Sequence, residues 1–80
     1  MSKRDKLLQR LLDKPKDLRF EELEKVILMC GYRLNRNRGS HAIYVKVGSP
    51  TLTIPIKTPV KSYLIDQVLY VIEDCLEDEL

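Results

Sequence analysis

The chain has 80 residues, of which 44% are hydrophobic and 32% charged, an ordinary composition for one small folded domain. At this length only about 60% of the unfolded chain's surface is buried, so one small core must serve every element. No stretch is apolar for long enough to span a bilayer, and the first residues lead into a charged amphipathic segment and not into a signal peptide. We therefore expect a cytoplasmic protein with no membrane partner.

Basic residues are concentrated away from the end of the chain. Residues 1–61 hold all fourteen Lys and Arg residues, whereas residues 62–80 hold six acids and no base. Residues 25–65 contain seven Lys or Arg residues and no Asp or Glu. A surface made from that segment attracts polyanions, because neutralising phosphates releases counterions from nucleic acid. The alternative is a basic face that is merely solvated.

The cysteines and carboxylates give no sign of a metal site. Cys30 and Cys75 lie within apolar periodic patterns and lack a Cys-x-x-Cys or His partner at ligand spacing, so we expect two reduced core residues. The carboxylates gather at the ends of the chain, and no glycine-rich nucleotide loop is present. We expect no metal and no small-molecule cofactor.

Two helices are predicted at the start of the chain. Residues 2–13 carry a narrow leucine stripe, which indicates a helix that packs across the outside of the domain or against a partner, and Pro15 ends it. Residues 20–30 form the second predicted helix, which Gly31 ends. Its core face consists of Phe20, Leu23, Val26, Ile27 and Cys30.

After Gly31 the hydrophobic period changes to two, which predicts three strands over residues 32–35, 40–47 and 51–57. Residues 37–39 read as the first turn and residues 48–50 as the second. Pro55 cannot donate to a ladder, so the third strand is predicted at a sheet edge. The last helix begins at Thr58-Pro59 or at Lys61-Ser62 and is strongly apolar on one face.

The predicted order is α-α-β-β-β-α in a single α+β domain. A three-stranded antiparallel sheet with helices packed on one face leaves its other face open to a ligand. Residues 73–80 are predicted to be an acidic tail. Its negative charges lie at the negative pole of the last helix, which is unfavourable, so we expect this end of the helix to fray.

Residues 37–44 contain the only histidine, His41, next to a glycine turn and near Arg36 and Arg38. An imidazole has an unperturbed pKa of about 6.5, so it can take a proton from a ribose 2′-hydroxyl or give one to a departing 5′-oxygen. Arg36, Arg38 or Lys46 would stabilise the charge on phosphorus. Ser40 and Tyr44 would hold ribose or phosphate oxygens, and the Gly39 backbone allows close approach.

The side-chain alternation raises a difficulty for His41. It shares a row with Ile43, Val45 and Val47, which would face the helices if that row is the core row. Either His41 lies at the start of its strand, beyond the packed core, or Gly39-Ser40 forms a bulge that re-aims it.

The motif Gly39-Ser40-His41-Ala42-Ile43-Tyr44 follows a helix ending in Cys30-Gly31-Tyr32 and precedes Leu52-Thr53-Ile54-Pro55-Ile56. In this arrangement the chain resembles the HicA family of toxin ribonucleases over residues 20–72. Residues 1–15 would be an extra N-terminal helix. The Pro-x-Lys turn at Pro59 and Lys61 resembles one branch of the family.

The resemblance implies a fold like the double-stranded-RNA-binding domain and the toxin role of a type II toxin–antitoxin system. It also implies metal-independent cleavage of mRNA with His41 as the catalytic residue, and neutralisation by a HicB-type antitoxin. The expected RNA contacts are Arg36, Arg38, Gly39, Ser40, Tyr44, Lys46, Lys57 and Lys61. Lys57 stands where many members have a second histidine, so here it would supply only charge.

Two further classes fit the same residues. One is a double-stranded-RNA-binding module that reads helix shape without cutting. The other is a protein-interaction domain that docks a partner through its sheet face or its outer helix.

Overall fold

A computed structural model describes residues 3–72, with side chains from residue 6 onward. The elements are α1 (Lys3–Leu12), α2 (Phe20–Met29), β1 (Arg33–Arg38), β2 (His41–Val45), β3 (Leu52–Pro55) and α3 (Ser62–Val71). This order confirms the predicted α-α-β-β-β-α arrangement and the α+β class. Cys75 and the predicted acidic tail lie outside the described residues.

The three strands form one antiparallel sheet in the order β1-β2-β3, so β2 is central. Pro55 ends β3, which is an edge strand as predicted from its missing N–H. Four strand residues point into the core on the helix-covered face: Ala42, Tyr44, Leu52 and Ile54. The opposite face carries no helix among the described residues and is open.

The helices contribute the other half of the core. The face predicted for α2 is buried throughout, and Leu23, Val26 and Ile27 have no exposed surface. Leu64, Ile65 and Val68 of α3 pack into the same cluster. These apolar stripes are buried because at helical spacing they cover one side of a helix, which must then be removed from water.

Helix α1 packs on the outside of α2 and α3. Leu11 is completely buried there, while Leu7 and Leu8 are partly buried against the core. The Arg10 guanidinium donates to the Glu22 carboxylate, and this hydrogen bond lowers the pKa of Glu22. The predicted outer position of the first helix is therefore confirmed, and its docking surface is the domain itself.

Three local features mark the ends of α2 and α3. Gly31 has a φ of +94°, the left-handed conformation that lets it follow the end of α2 without strain. Of the two predicted starts, α3 uses Lys61-Ser62, with Lys61 as the N-cap residue. The Thr58 hydroxyl instead accepts a hydrogen bond of 3.1 Å from the backbone N–H of Phe20, so it caps α2.

None of the helices within residues 3–72 is long and apolar enough to cross a membrane.

Replacing a leucine on the buried face of α2 should unfold the domain much more easily than replacing one on its exposed face. Leu23→Ala removes a fully buried side chain and is expected to lower the free energy of unfolding by about 2–5 kcal/mol. Leu28→Ala, at a 43% exposed position of the same helix, should cost less than about 1 kcal/mol. Urea unfolding followed by circular dichroism measures both, and equal losses would contradict the packing described.

Candidate functional site on the open sheet face

Strand β2 turns its histidine away from the helices. Ala42 and Tyr44 are buried, whereas His41 is exposed and Ile43 and Val45 are only partly covered. The row of Ile43 and Val45 is therefore not the core row, because the buried residues are the intervening ones, Ala42 and Tyr44. His41 is the first residue of β2 and lies on the open face without any bulge at Gly39-Ser40.

A bulge does occur, but in β1. Leu34 pairs with Tyr44 and Arg36 pairs with Ile43, so Asn35 is left over between them. Residues that pair across antiparallel strands share a face. Because of the extra residue, Arg36 and Arg38 lie on the same face as His41; without it, alternation from Leu34 would have turned both toward the helix side.

The register then defines two rows across the open face. Arg38, His41 and Pro55 are aligned in one row, at the end of the sheet where β2 begins. Arg36, Ile43 and Thr53 form the next row. Arg38, His41, Ile43 and Thr53 line one shallow concavity. The imidazole is thus accessible to solvent and has a guanidinium-bearing residue directly opposite it on the neighbouring strand.

The turn before His41 has two residues, Gly39 and Ser40, and β1 continues to Arg38, which is longer than predicted. Gly39 has a φ of +60°, which this tight connection requires. The Ser40 hydroxyl lies 3.5 Å from Nδ1 of His41, at the limit of hydrogen-bond distance from that ring nitrogen. The Ser40 carbonyl accepts a 2.7 Å hydrogen bond from the Ile56 N–H, which ties the turn to β3.

Tyr44 does not belong to this surface. Its side chain is fully buried, and its hydroxyl donates to the Glu24 carboxylate on α2. Burial, reinforced by Glu24, raises the pKa of Tyr44. This corrects the expectation that Tyr44 holds ribose or phosphate, because a side chain on the helix side of β2 cannot reach the open face.

Lys46 also has a different role from the one predicted. Its ammonium donates a 2.7 Å hydrogen bond to the Cys30 carbonyl and lies 5.9 Å from the centre of the Tyr32 ring. Cys30 caps the C-terminus of α2, where the helix dipole favours a cation. Lys46 follows the far end of β2 from His41, roughly 17 Å away at about 3.4 Å per residue. It is therefore a helix-capping residue that the structure does not bring to the histidine.

Lys57 and Lys61 lie beyond the edge strand. Both are exposed and line a second concavity together with Pro55 and Tyr63. Pro55 pairs with His41 and also lines this second concavity, so the concavity borders the row that contains the histidine. The structure therefore places these two lysines beside the open face, at its β3 edge.

Arg33 is a surface residue that the sequence reasoning did not select. It pairs with Val45, so it lies on the open face in line with Arg36 and Arg38. No described acidic side chain forms an ion pair with any of these three arginines. The sequence pointed to Arg33 only through the general excess of cations in this segment. The face on which Arg33 lies depends on the strand register, which the sequence pattern does not give.

No three His, Cys, Asp or Glu side chains within residues 3–72 come together as a possible metal site. The open face instead combines one imidazole with guanidinium groups. Guanidinium groups are suited to hold anions such as phosphate, and an imidazole can accept or donate a proton.

A comparison with protein families identifies one match to this chain. The family model described as "HicA toxin of bacterial toxin-antitoxin" matches residues 20–73, which include all three strands, α2 and α3 but not α1. Neither the curated proteins nor the solved structures gave a match.

The buried Tyr44 hydroxyl predicts a specific alkaline destabilisation. Near pH 8, Tyr44→Phe should lower the free energy of unfolding by about 1–3 kcal/mol, since it removes a hydrogen bond to a carboxylate. A raised pKa keeps the proton on Tyr44 in the folded state when the unfolded tyrosine, with its pKa of about 10, has lost it. The wild-type protein should therefore lose stability relative to the variant above pH 10, by up to about 1.4 kcal/mol per pH unit.

Urea unfolding of both proteins between pH 8 and pH 11 measures the difference. Tyr70→Phe is the matched control, because Tyr70 is 80% exposed and its substitution should change stability at no pH. A constant difference between wild type and Tyr44→Phe over the whole range would contradict the burial of the hydroxyl.

Proposed function

The chain belongs to the HicA family of toxins from bacterial toxin–antitoxin systems, and we propose that it acts as an endoribonuclease on mRNA with His41 as its catalytic residue. The observation that supports this most strongly is the position of His41. It is exposed on the sheet face that no described helix covers, directly opposite Arg38.

The reaction that fits these groups is a transfer within the RNA strand. The ribose 2′-hydroxyl loses its proton, its oxygen forms a bond to the neighbouring phosphorus, and the bond from phosphorus to the 5′-oxygen breaks. The 5′-oxygen then takes up a proton, and the products are a 2′,3′-cyclic phosphate and a 5′-hydroxyl. His41 accepts the first proton or supplies the second, a contribution typically worth about 10²–10⁴-fold in rate.

The arginines would stabilise the charge that builds up on the phosphate. Arg38 is the arginine that pairs directly with His41, and Arg36 occupies the next row. A guanidinium donates to two phosphate oxygens at once, which suits this position better than a lysine. Gly39 and Ser40 form the turn next to the imidazole and would contact the sugar-phosphate backbone of the RNA there.

The charge of the face also supports a reaction without a metal ion. The described side chains around His41 in the concavity are Arg38, Ile43 and Thr53, and none is a carboxylate. Divalent cations prefer carboxylate and carbonyl oxygens, and nearby guanidinium groups repel them. The arginines would supply the positive charge that a metal provides in other nucleases.

A toxin of this family has an antitoxin partner, and we propose a HicB-type protein for this chain. An exposed basic face with partly covered apolar residues such as Ile43 is a suitable target for an acidic partner surface. An antitoxin seated there would exclude RNA from His41.

Replacing His41 should strongly reduce cleavage and leave the fold intact. His41→Ala is expected to reduce the cleavage rate by about 10²–10⁴-fold on a defined RNA, with the melting temperature within a few degrees of wild type because the side chain is exposed. Gel electrophoresis of the RNA products, formed in EDTA and assayed for the cyclic phosphate, measures the cleavage rate.

A second result separates catalysis from binding alone. The His41→Ala variant should still bind RNA with nearly wild-type affinity. Unchanged cleavage by the variant would exclude His41 as the catalyst, and a wild-type protein that binds duplex RNA without producing fragments would favour a non-catalytic binding module.

Neutralising Arg33 on the open face and neutralising the helix-capping Lys46 should have different effects. Arg33→Gln should weaken RNA binding. It should also make the plot of log association constant against log salt concentration less steep, by about 0.7–0.9, the value for one phosphate contact. Lys46→Gln should leave that slope unchanged and lower the free energy of unfolding by about 0.3–1 kcal/mol, because it removes a cation from a helix C-terminus.

Fluorescence anisotropy with labelled RNA at several salt concentrations, together with urea unfolding, provides both numbers. A reduced salt slope for Lys46→Gln with an unchanged slope for Arg33→Gln would contradict the assignment of the open face.

A further inference from the structure

A second basic surface lies next to the open face and includes residues from outside the family match. One concavity is lined by Lys57, Lys61 and Tyr63, and a neighbouring one by Lys14 and Lys16. The two linings share Pro59, Val60, Lys61 and Tyr63, so the concavities adjoin each other, and we call them together the lysine groove.

The lysine groove is strongly basic. Its lining includes four lysines and, among the described residues, no acid. Lys16, Lys57 and Lys61 are exposed. Lys14 pairs with Asp66 outside the lining, but both side chains are about half exposed, and an exposed pair of this kind contributes only about 0–1 kcal/mol. Lys14 can therefore exchange this partner for a phosphate at little cost.

Tyr63 gives the groove a feature that simple charge does not explain. Its side chain is 60% exposed although it lies in the first turn of α3 and between two concavities. Exposed aromatic rings surrounded by cations are the usual platform for unpaired bases, because every base can stack on a ring while the cations follow the backbone. An acidic protein segment would use the lysines but would gain little from an exposed ring.

The groove also borders the open face. Pro55 lines the groove and pairs with His41 across the sheet. An RNA strand that passes His41 toward the β3 edge therefore enters the lysine groove next. The connection between α1 and α2 supplies Lys14 and Lys16 to the concavity that Pro55 does not line, so the N-terminal segment contributes to the lining of the groove.

We propose that the lysine groove binds a single-stranded extension of the RNA held at His41, with a base stacked on Tyr63 and phosphates on Lys16, Lys57 and Lys61. This proposal rests on the proposed ribonuclease function. It adds a substrate preference to it, namely that unpaired RNA long enough to reach the groove binds more tightly than a fragment that covers only the histidine.

The test uses the full chain with His41→Ala to prevent cleavage, and measures the affinity for an unpaired tetranucleotide and an unpaired sixteen-nucleotide RNA by fluorescence anisotropy. Tyr63→Leu should weaken the binding of the longer RNA about 5- to 100-fold, as expected for one stacked base, and should leave the tetranucleotide unaffected. Tyr70→Leu is the matched control, since Tyr70 is another exposed tyrosine of α3, at 80% against 60% for Tyr63, and does not line the groove.

A charge variant tests the other half of the groove. Lys16→Gln should make the dependence of log association constant on log salt less steep by about 0.7 for the longer RNA. Lys25 is an exposed lysine of α2, and Lys25→Gln should leave this dependence unchanged. Thermal unfolding of each variant checks that the fold is retained.

The outcomes distinguish this inference from the function on which it rests. If Tyr63→Leu and Lys16→Gln bind the longer RNA as tightly as the parent while Arg38→Gln binds it more weakly, the lysine groove is excluded and the nuclease face stands. If the groove variants lose affinity only for a purified antitoxin, the groove is a protein interface and the inference is overturned. If the parent binds neither RNA and the wild type cleaves none, both proposals fail.

Discussion

The alternation of side chains along β2 is the constraint on which the candidate site depends. Ala42 and Tyr44 are held against the helices by burial, and the Tyr44 hydroxyl is held by Glu24. A slip of one residue would expose that buried row and bring His41 under the helices. The favourable free energy of burying Ala42 and Tyr44 therefore also keeps the imidazole of His41 exposed to solvent. The stability of the fold and the accessibility of His41 have the same physical origin.

Much of the fold follows from the sequence because its strongest patterns allow only one arrangement. The stripes of α2 and α3 each cover one side of a helix, and Pro55 is compatible only with an edge or a strand end. Strand β2 is different, since both of its rows are apolar. The more hydrophobic row, with Ile43 and Val45, is the outer one, because the core row is selected by its partners Leu52 and Ile54 on β3.

The site was predictable in its centre and less so at its edges. A lone histidine after a glycine turn in an acid-free segment indicated His41, but single charged residues carry no information about direction. The β1 sequence Arg-Leu-Asn-Arg-Asn-Arg is polar on both faces, so only the bulge at Asn35 decides where the arginines point. Lys46 binds a helix end that is distant in sequence, and such a tertiary contact leaves no local pattern.

The central claim is that RNA binds across the open face and reaches the imidazole of His41. The most direct measurement is an NMR titration with an RNA that carries 2′-deoxyribose and cannot be cleaved, following the imidazole nitrogens and the methyl groups. The account predicts that signals of His41 and Ile43 shift together while those of the buried Val68 stay in place. Shifts confined to other surfaces, with the His41 imidazole unchanged at saturating RNA, would contradict it.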